Sequence, residues 1–289
     1  NPDNRNEFTS DPFEIEAYTK FTFPGRNGKY SRFIWDYHCF SGVDYAANLD
    51  ETAIFSIVNN PYGEGWEDLV DNEKGNYDYL MYCDIEFRNP AVREELKRWG
   101  KWLYDTLHYD GFRLDAVKHI SPKFFNEWLD AMRNEIDPEL FAVGEYWSPG
   151  NLPLLLKYIE ATGGRMSLFD ACLQNNFHAA SRAGREYDLY TIFHDTLVSA
   201  RPDLTVTVVA NHDTQPLQAL EAPVDPWFKP IAYALILLRE QGYPCIFYPD
   251  LYSGYYTDKG QDGQDHEIFM PQVNKLDLLI RARKQFAYG

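Results

Sequence analysis

Cysteine is scarce in this 289-residue chain. Cys39, Cys83, Cys172 and Cys245 stand far apart and without CxxC spacing, which excludes a disulfide-stapled scaffold and a cysteine zinc site. They read as free thiols. Long apolar runs are missing as well: none reaches the length of a membrane span, and the polar stretch from Asn1 carries no signal-peptide pattern. Positive charge is also short, with 27 Lys and Arg against 44 Asp and Glu and a formal net charge of -17. Such a balance repels nucleic acid and anionic membrane surfaces. A neutral or cationic partner fits better. What the chain does have is 45 % hydrophobic residues, ample for a core, and 16 % aromatics, whose flat rings suit sugar faces as well as interiors.

Two textures divide the sequence. Residues 1–88 are rich in Asn, Asp, Gly, Pro and Tyr with only short apolar runs, such as Phe33 to Trp35 and Ile54 to Val58, a pattern of loops and short strands. From Asn89 onward helical periodicity alternates with short β-rich runs, the mark of a parallel α/β architecture. A domain boundary near residue 88 follows. The first helix has Asn89 as cap, Pro90 in its first turn and an apolar stripe of Val92, Leu96, Trp99, Leu103 and Leu107. A strand from Gly111 to Val117 comes next, then a helix opened by Ser121 and Pro122, then a strand from Phe141 to Glu145. A helix through Leu154 and Tyr158 stops at Gly163 and Gly164. Ser167 to Ala171 is the next strand, a helix ends near Ala200, and Leu204 to Ala210 is a β-branched run of the kind buried on both faces. A helix from Pro226 to Gln241 and a strand from Pro244 to Tyr248 complete five strand units.

In a β/α barrel, polar residues at the carboxyl ends of several strands converge on one site. Here those ends are acidic: Asp115, Glu145, Asp170 and Asp213. Side chains two apart on a strand share a face, so Arg113 lies beside Asp115 and keeps it ionised. Retaining glycoside hydrolysis needs an ionised carboxylate nucleophile and a protonated carboxylic acid roughly 5 Å apart. Asp115 suits the first role. Glu145, between Phe141-Ala142-Val143-Gly144 and Tyr146-Trp147, has an apolar setting that suits the second. Asp213, beside His212, is placed to hold ring hydroxyls and stabilise an oxocarbenium-like transition state. Any one of these acids alone reads equally well as a helix cap or a solvated loop charge.

The local strings decide between those readings. Gly111-Phe112-Arg113-Leu114-Asp115-Ala116-Val117-Lys118-His119, Val143-Gly144-Glu145 and Ala210-Asn211-His212-Asp213 resemble, in order, the signature regions of the α-amylase family, glycoside hydrolase family 13. Phe23-Pro24-Gly25-Arg26 and Trp227-Phe228-Lys229-Pro230 resemble its bacterial liquefying type. Ala219-Leu220-Glu221-Ala222-Pro223 and Tyr248-Pro249-Asp250-Leu251-Tyr252 look like the cytoplasmic enterobacterial branch, which implies a cytoplasmic location, with secretion as the alternative. The resemblance implies a (β/α)8 TIM barrel represented by strands four to eight, residues 89–289, and an inserted irregular β-rich domain B over residues 1–88. It implies Asp115 as nucleophile, Glu145 as acid/base and Asp213 as the third carboxylate. Arg113 would position the nucleophile, His212 would contact the sugar at the cleavage site, and Lys118, His119 and Trp147 would line the leaving-group subsites.

The same resemblance implies one structural Ca2+, with Asp78, Asp84 and the backbone carbonyl of His119 among its ligands; calcium takes such hard oxygens. At positions that hold further metals in secreted relatives stand Ser41, Glu67, Glu86 and Arg88, and an arginine repels a cation, so a single site is expected, incomplete in this chain. Five strands cannot close an eight-stranded barrel. The first three strands and a C-terminal β-domain are expected to come from a longer enzyme or a second segment. The implied activity is endo-acting hydrolysis of α-1,4-glucans with retention of configuration. A transglycosylase with the same three carboxylates and a silent glucan-binding protein are the rival readings.

Overall fold

The structure, a computed structural model, describes residues 1–286. They partition into two compact units, Asn1–Glu145 with Glu160–Arg165, and Tyr146–Ile159 with Met166 onward.

The first unit opens with irregular chain and a small antiparallel sheet of β1 (Phe40–Ala46), β2 (Glu51–Ser56) and β3 (Cys83–Ile85), in the order β2-β1-β3. Phe33 to Trp35 makes no strand; Trp35 pairs only with Phe21 in an isolated bridge. Helix α1 (Pro90–Leu107) begins where Asn89 accepts a hydrogen bond from the Ala91 N–H and ends at left-handed His108. Its buried residues are Val92 and Gly100, whereas Trp99 and Leu107 are exposed, so the expected apolar stripe is only partly buried. Gly100 is where α1 meets α2 (Pro122–Glu135): a Cβ there would lie 2.6 Å from the Trp128 ring and 2.8 Å from Met132 Sδ. Trp128 also donates to the Leu96 carbonyl. Helix α2 buries Phe125, Trp128, Leu129 and Met132.

Strands β4 (Gly111–Leu114) and β5 (Phe141–Gly144) pair in parallel, Arg113 opposite Val143. The first of them stops three residues earlier than its sequence suggests. Ala116 adopts left-handed φ of 47°, an unfavourable angle for a residue with a Cβ, and Val117–His119 forms a 3-10 turn. That turn carries Asp115 off the strand end.

The second unit contains α3 (Leu152–Ala161) up to Ile159, β6 (Ser167–Phe169), α4 (Ala171–Ala183), a one-turn α5 (Leu197–Ala200), β7 (Thr205–Val208), α6 (Lys229–Leu237), β8 (Tyr243–Cys245), α7 (Tyr248–Tyr252), the hairpin β9 (Gly254–Lys259) with β10 (Asp265–Met270), and α8 (Leu276–Phe286). Strands β6, β7 and β8 are parallel neighbours. All four residues of β7 are buried, as a β-branched run predicts. Helices α4, α6 and α8 share a core that includes Phe177, Phe228, Tyr233, Ile236 and Leu276.

Several expected elements are shorter. A helix does end at Ala200, the one-turn α5, but the α4 that follows β6 stops separately at Gly184, and the helix expected from Pro226 to Gln241 holds only Lys229–Leu237. Lys229 and Tyr233 of α6 converge on a buried carboxylate: Lys229 Nζ pairs with Asp250, which is fully inaccessible and also accepts from Tyr233 Oη at 2.6 Å. No helix among the described residues is long and apolar enough to cross a membrane.

Candidate active site

Two carboxylates meet at the ends of β4 and β5. Arg113 points from β4 toward both: it hydrogen-bonds Asp115, and its Nη2 lies 3.0 Å from Glu145 Oε2. A planar guanidinium with several donors holds such a pair side by side. Asp115 is 74 % exposed at its side chain, whereas that of Glu145 is 7 % exposed. The turn after Asp115 finishes the arrangement, because the Ala116 N–H donates to Glu145 Oε2 at 3.2 Å and the Val117 N–H to the Glu145 carbonyl at 3.1 Å. Glu145 is therefore buried as expected, but its surroundings are not simply apolar: a cation and a backbone donor both address one of its oxygens. An open carboxylate beside a sequestered one is the asymmetry that a nucleophile and an acid/base require.

Asp213 lies beyond β7 in the second unit. Asn211 Oδ1 accepts from the Asp213 and Thr214 N–H groups at 2.9 and 2.8 Å, an Asx turn that fixes the strand end. His212 Nε2 stands 3.2 Å from Asp213 Oδ2, and both side chains are partly open to solvent. Trp147 follows β5 and is half-buried. Asp170 does not belong with these acids. It is fully buried, caps α4 through the Leu173 N–H at 2.9 Å, and accepts from the Leu197 and Val198 N–H groups at 3.1 and 2.8 Å. The ambiguity between site acid and helix cap resolves for Asp170 as cap.

Lys118 and His119 occupy the 3-10 turn after Asp115. Lys118 is buried, with Nζ bound to Glu73 and 3.4 Å from Asp71, partners that the sequence reading did not supply. His119 Nδ1 donates to the Tyr77 carbonyl at 2.6 Å, and burial holds its imidazole below the usual proton affinity. Tyr77 is a further residue missed from sequence: Arg5, Lys74 and Lys118 all lie over its ring, Arg5 at 4.4 Å.

The expected metal ligands Asp78 and Asp84 do come together. Burial raises both above the ordinary carboxylate range, with repulsion from Asp84 adding to the rise at Asp78. Asp78 accepts from the Glu67 N–H at 2.8 Å and Asp84 from Ser41 Oγ. Glu67 is pushed up to about 7, by burial first and the nearby Glu86 second. Buried carboxyls of this kind are hard donors that suit calcium in their chemistry. Among the described residues no group of three or more His, Cys, Asp and Glu side chains is arranged to hold a metal, so remaining ligands would be carbonyls, such as that of His119, or water. Arg88 meets fully buried Glu86 through two bonds, Nε to Oε1 at 2.7 Å and Nη2 to Oε2 at 2.6 Å, and Nη2 reaches the Gly65 carbonyl at 2.7 Å.

Comparison with known proteins identifies the family and the fold. Residues 55–275 match the alpha-amylase family, alpha amylase catalytic domain, and the chain belongs to that family. Over its whole length the chain is 55 % identical to the cytoplasmic alpha-amylase of Escherichia coli strain K12, covering 58 % of that protein. It is 46 % identical to an alpha-amylase of Geobacillus stearothermophilus, covering 50 % of it, and so spans about half the length of these curated relatives. Among solved structures, an Anoxybacillus alpha-amylase superposes with a TM-score of 0.55 at 19 % identity, over 80 % of this chain and 55 % of that one. An acarbose complex of a Geobacillus thermoleovorans alpha-amylase gives 0.54 at 20 % identity, over 79 % and 54 %. These likenesses show the fold: the five parallel strands are part of an amylase TIM barrel.

Proposed function

We propose that the protein is an endo-acting α-amylase that hydrolyses α-1,4-glucosidic bonds of starch, glycogen and maltooligosaccharides with retention of configuration. The observation that carries this reading is the Arg113 guanidinium bridging exposed Asp115 and buried Glu145. In the first step Asp115 attacks the anomeric carbon while Glu145 protonates the departing glycosidic oxygen, leaving a glycosyl ester on Asp115. Glu145 then takes a proton from water, which attacks the same carbon and releases Asp115. Asp213 stabilises the positive charge that develops on the ring in both steps, with His212 on the sugar hydroxyls. Lys118, His119 and Trp147 serve the leaving-group side. In this reading residues 1–88 form domain B and residues 89–289 belong to the barrel. A cytoplasmic location rests on the name of the Escherichia coli relative and on four cysteines that are all unpaired.

Maltoheptaose followed by NMR and chromatography tests the activity. The first product is expected in the α-anomeric form, with only chains shorter than the substrate. A β-anomer refutes retention, and chains longer than seven glucose units favour the transglycosylase.

Calcium would be held by Asp78, Asp84 and the His119 carbonyl, where it would supply positive charge to two neighbouring carboxylates. A cation that binds only the folded state stabilises it by mass action, by about 4 kcal/mol at a thousandfold excess over Kd. Exhaustive chelation is expected to lower the melting temperature and added calcium to restore it. Unchanged melting removes the metal from the proposal.

A further inference from the structure

We infer that the β9–β10 hairpin is a positioning strut for the loop that begins at Asp213, acting through Tyr256 and Asp258. The hairpin has two unlike faces. Tyr255 and its cross-strand partner Phe269 are exposed, whereas Tyr256 and its partner Ile268 are half-buried. The half-buried side grips the loop after Asp213 at two points: Tyr256 Oη donates to the Pro216 carbonyl, and Gln218 Nε2 donates to Asp258 Oδ2 at 2.7 Å.

Between those two points lies Leu217, with a left-handed φ of 63°. A leucine does not adopt that conformation unaided, and such a residue persists where its surroundings over-determine it. Here the residue before it and the residue after it are both held by the hairpin. The loop then returns on itself, the Leu220 N–H donating to the Asp213 carbonyl at 3.1 Å and the Ala222 N–H to the Thr214 carbonyl at 3.0 Å. Asp213 is thereby tethered from both sides, by the Asn211 turn before it and by a strained loop behind it that the hairpin keeps in place. The shared core of α4, α6 and α8 contains no residue of the hairpin, so loosening the two contacts acts on the loop more than on the fold.

This inference rests on the reading of Asp213 as a transition-state carboxylate, which Asp213→Asn tests in the same assay. In the full-length protein, Tyr256→Phe combined with Asp258→Ala is expected to lower kcat on maltoheptaose by about ten- to hundredfold, the scale of a small misplacement of a catalytic group. KM and melting temperature should change little. Adding Leu217→Asn, a residue that accepts the left-handed angle more readily, should recover most of the lost kcat. Three results overturn the strut: kcat within about twofold of wild type, a loss that follows the melting temperature and is not recovered by Leu217→Asn, or a raised KM at unchanged kcat, which would make the hairpin a sugar-contacting wall. A fully active Asp213→Asn overturns instead the role given to Asp213, whatever the hairpin variants do.

Discussion

Asp115→Asn is expected to abolish turnover while maltooligosaccharide binding persists. The substitution removes a nucleophile and almost no volume, and it does so on a side chain that is 74 % exposed beyond the end of β4, so the fold loses little. Removing a nucleophile from an enzyme that acts through a covalent intermediate costs kcat roughly 10⁴- to 10⁶-fold. Arg113 would keep its hold on Glu145, since that contact runs through a separate nitrogen, and the binding surface would stay assembled. The measurement is kcat on maltoheptaose in the full-length protein, beside calorimetric titration of the same sugar and a melting curve. Turnover above about one hundredth of wild type removes Asp115 from the nucleophile's role. Lost binding or a large fall in melting temperature would mean that Asp115 holds structure instead.

Lys229→Met has the complementary signature, a large loss of stability at a site away from the proposed chemistry. Asp250 is fully inaccessible and takes its compensation from Lys229 Nζ and Tyr233 Oη. Without the ammonium, a buried carboxylate remains with a single phenolic donor, and breaking a buried pair in this way costs about 3–5 kcal/mol. Replacing all three polar partners, by Lys229→Met, Tyr233→Phe and Asp250→Leu together, removes the uncompensated charge and should recover much of that loss, because matched apolar groups often substitute for a buried pair at little cost. Urea unfolding of the single and triple variants reads both effects. A single variant destabilised by less than about 1 kcal/mol would show that Asp250 finds another partner.

The sequence made the order of elements legible because each strand unit is bounded by strong local signals, such as Asn89-Pro90 at the start of α1 and Gly163-Gly164 after α3. Strand ends were less legible. Apolar residues continue through Val117, but pairing ends at Leu114, where Ala116 takes a left-handed turn that no residue type there announces. The site followed the same division. Arg113 beside Asp115 follows from strand geometry, whereas Arg113 on Glu145 depends on the register of β4 against β5. Asp170 shows the limit of counting acids at strand ends: only tertiary contacts reveal that backbone donors from two helices converge on it. The partners of Lys118 lie more than forty residues away, at Asp71 and Glu73, and no local pattern connects them.

The pairing of Arg88 with Glu86 bears on how the segment around Asp78 and Asp84 meets changes in its surroundings. A free ion leaves when its concentration falls, so whatever it neutralises depends on the medium. The Arg88 guanidinium is covalently attached two residues from the carboxylate it serves and is held by two hydrogen bonds. Its effective concentration is set by the chain and does not dilute, and no chelator can extract it. At Glu86 the charge balance is therefore inherited with the polypeptide, whereas the calcium proposed at Asp78 and Asp84 would come and go with its concentration.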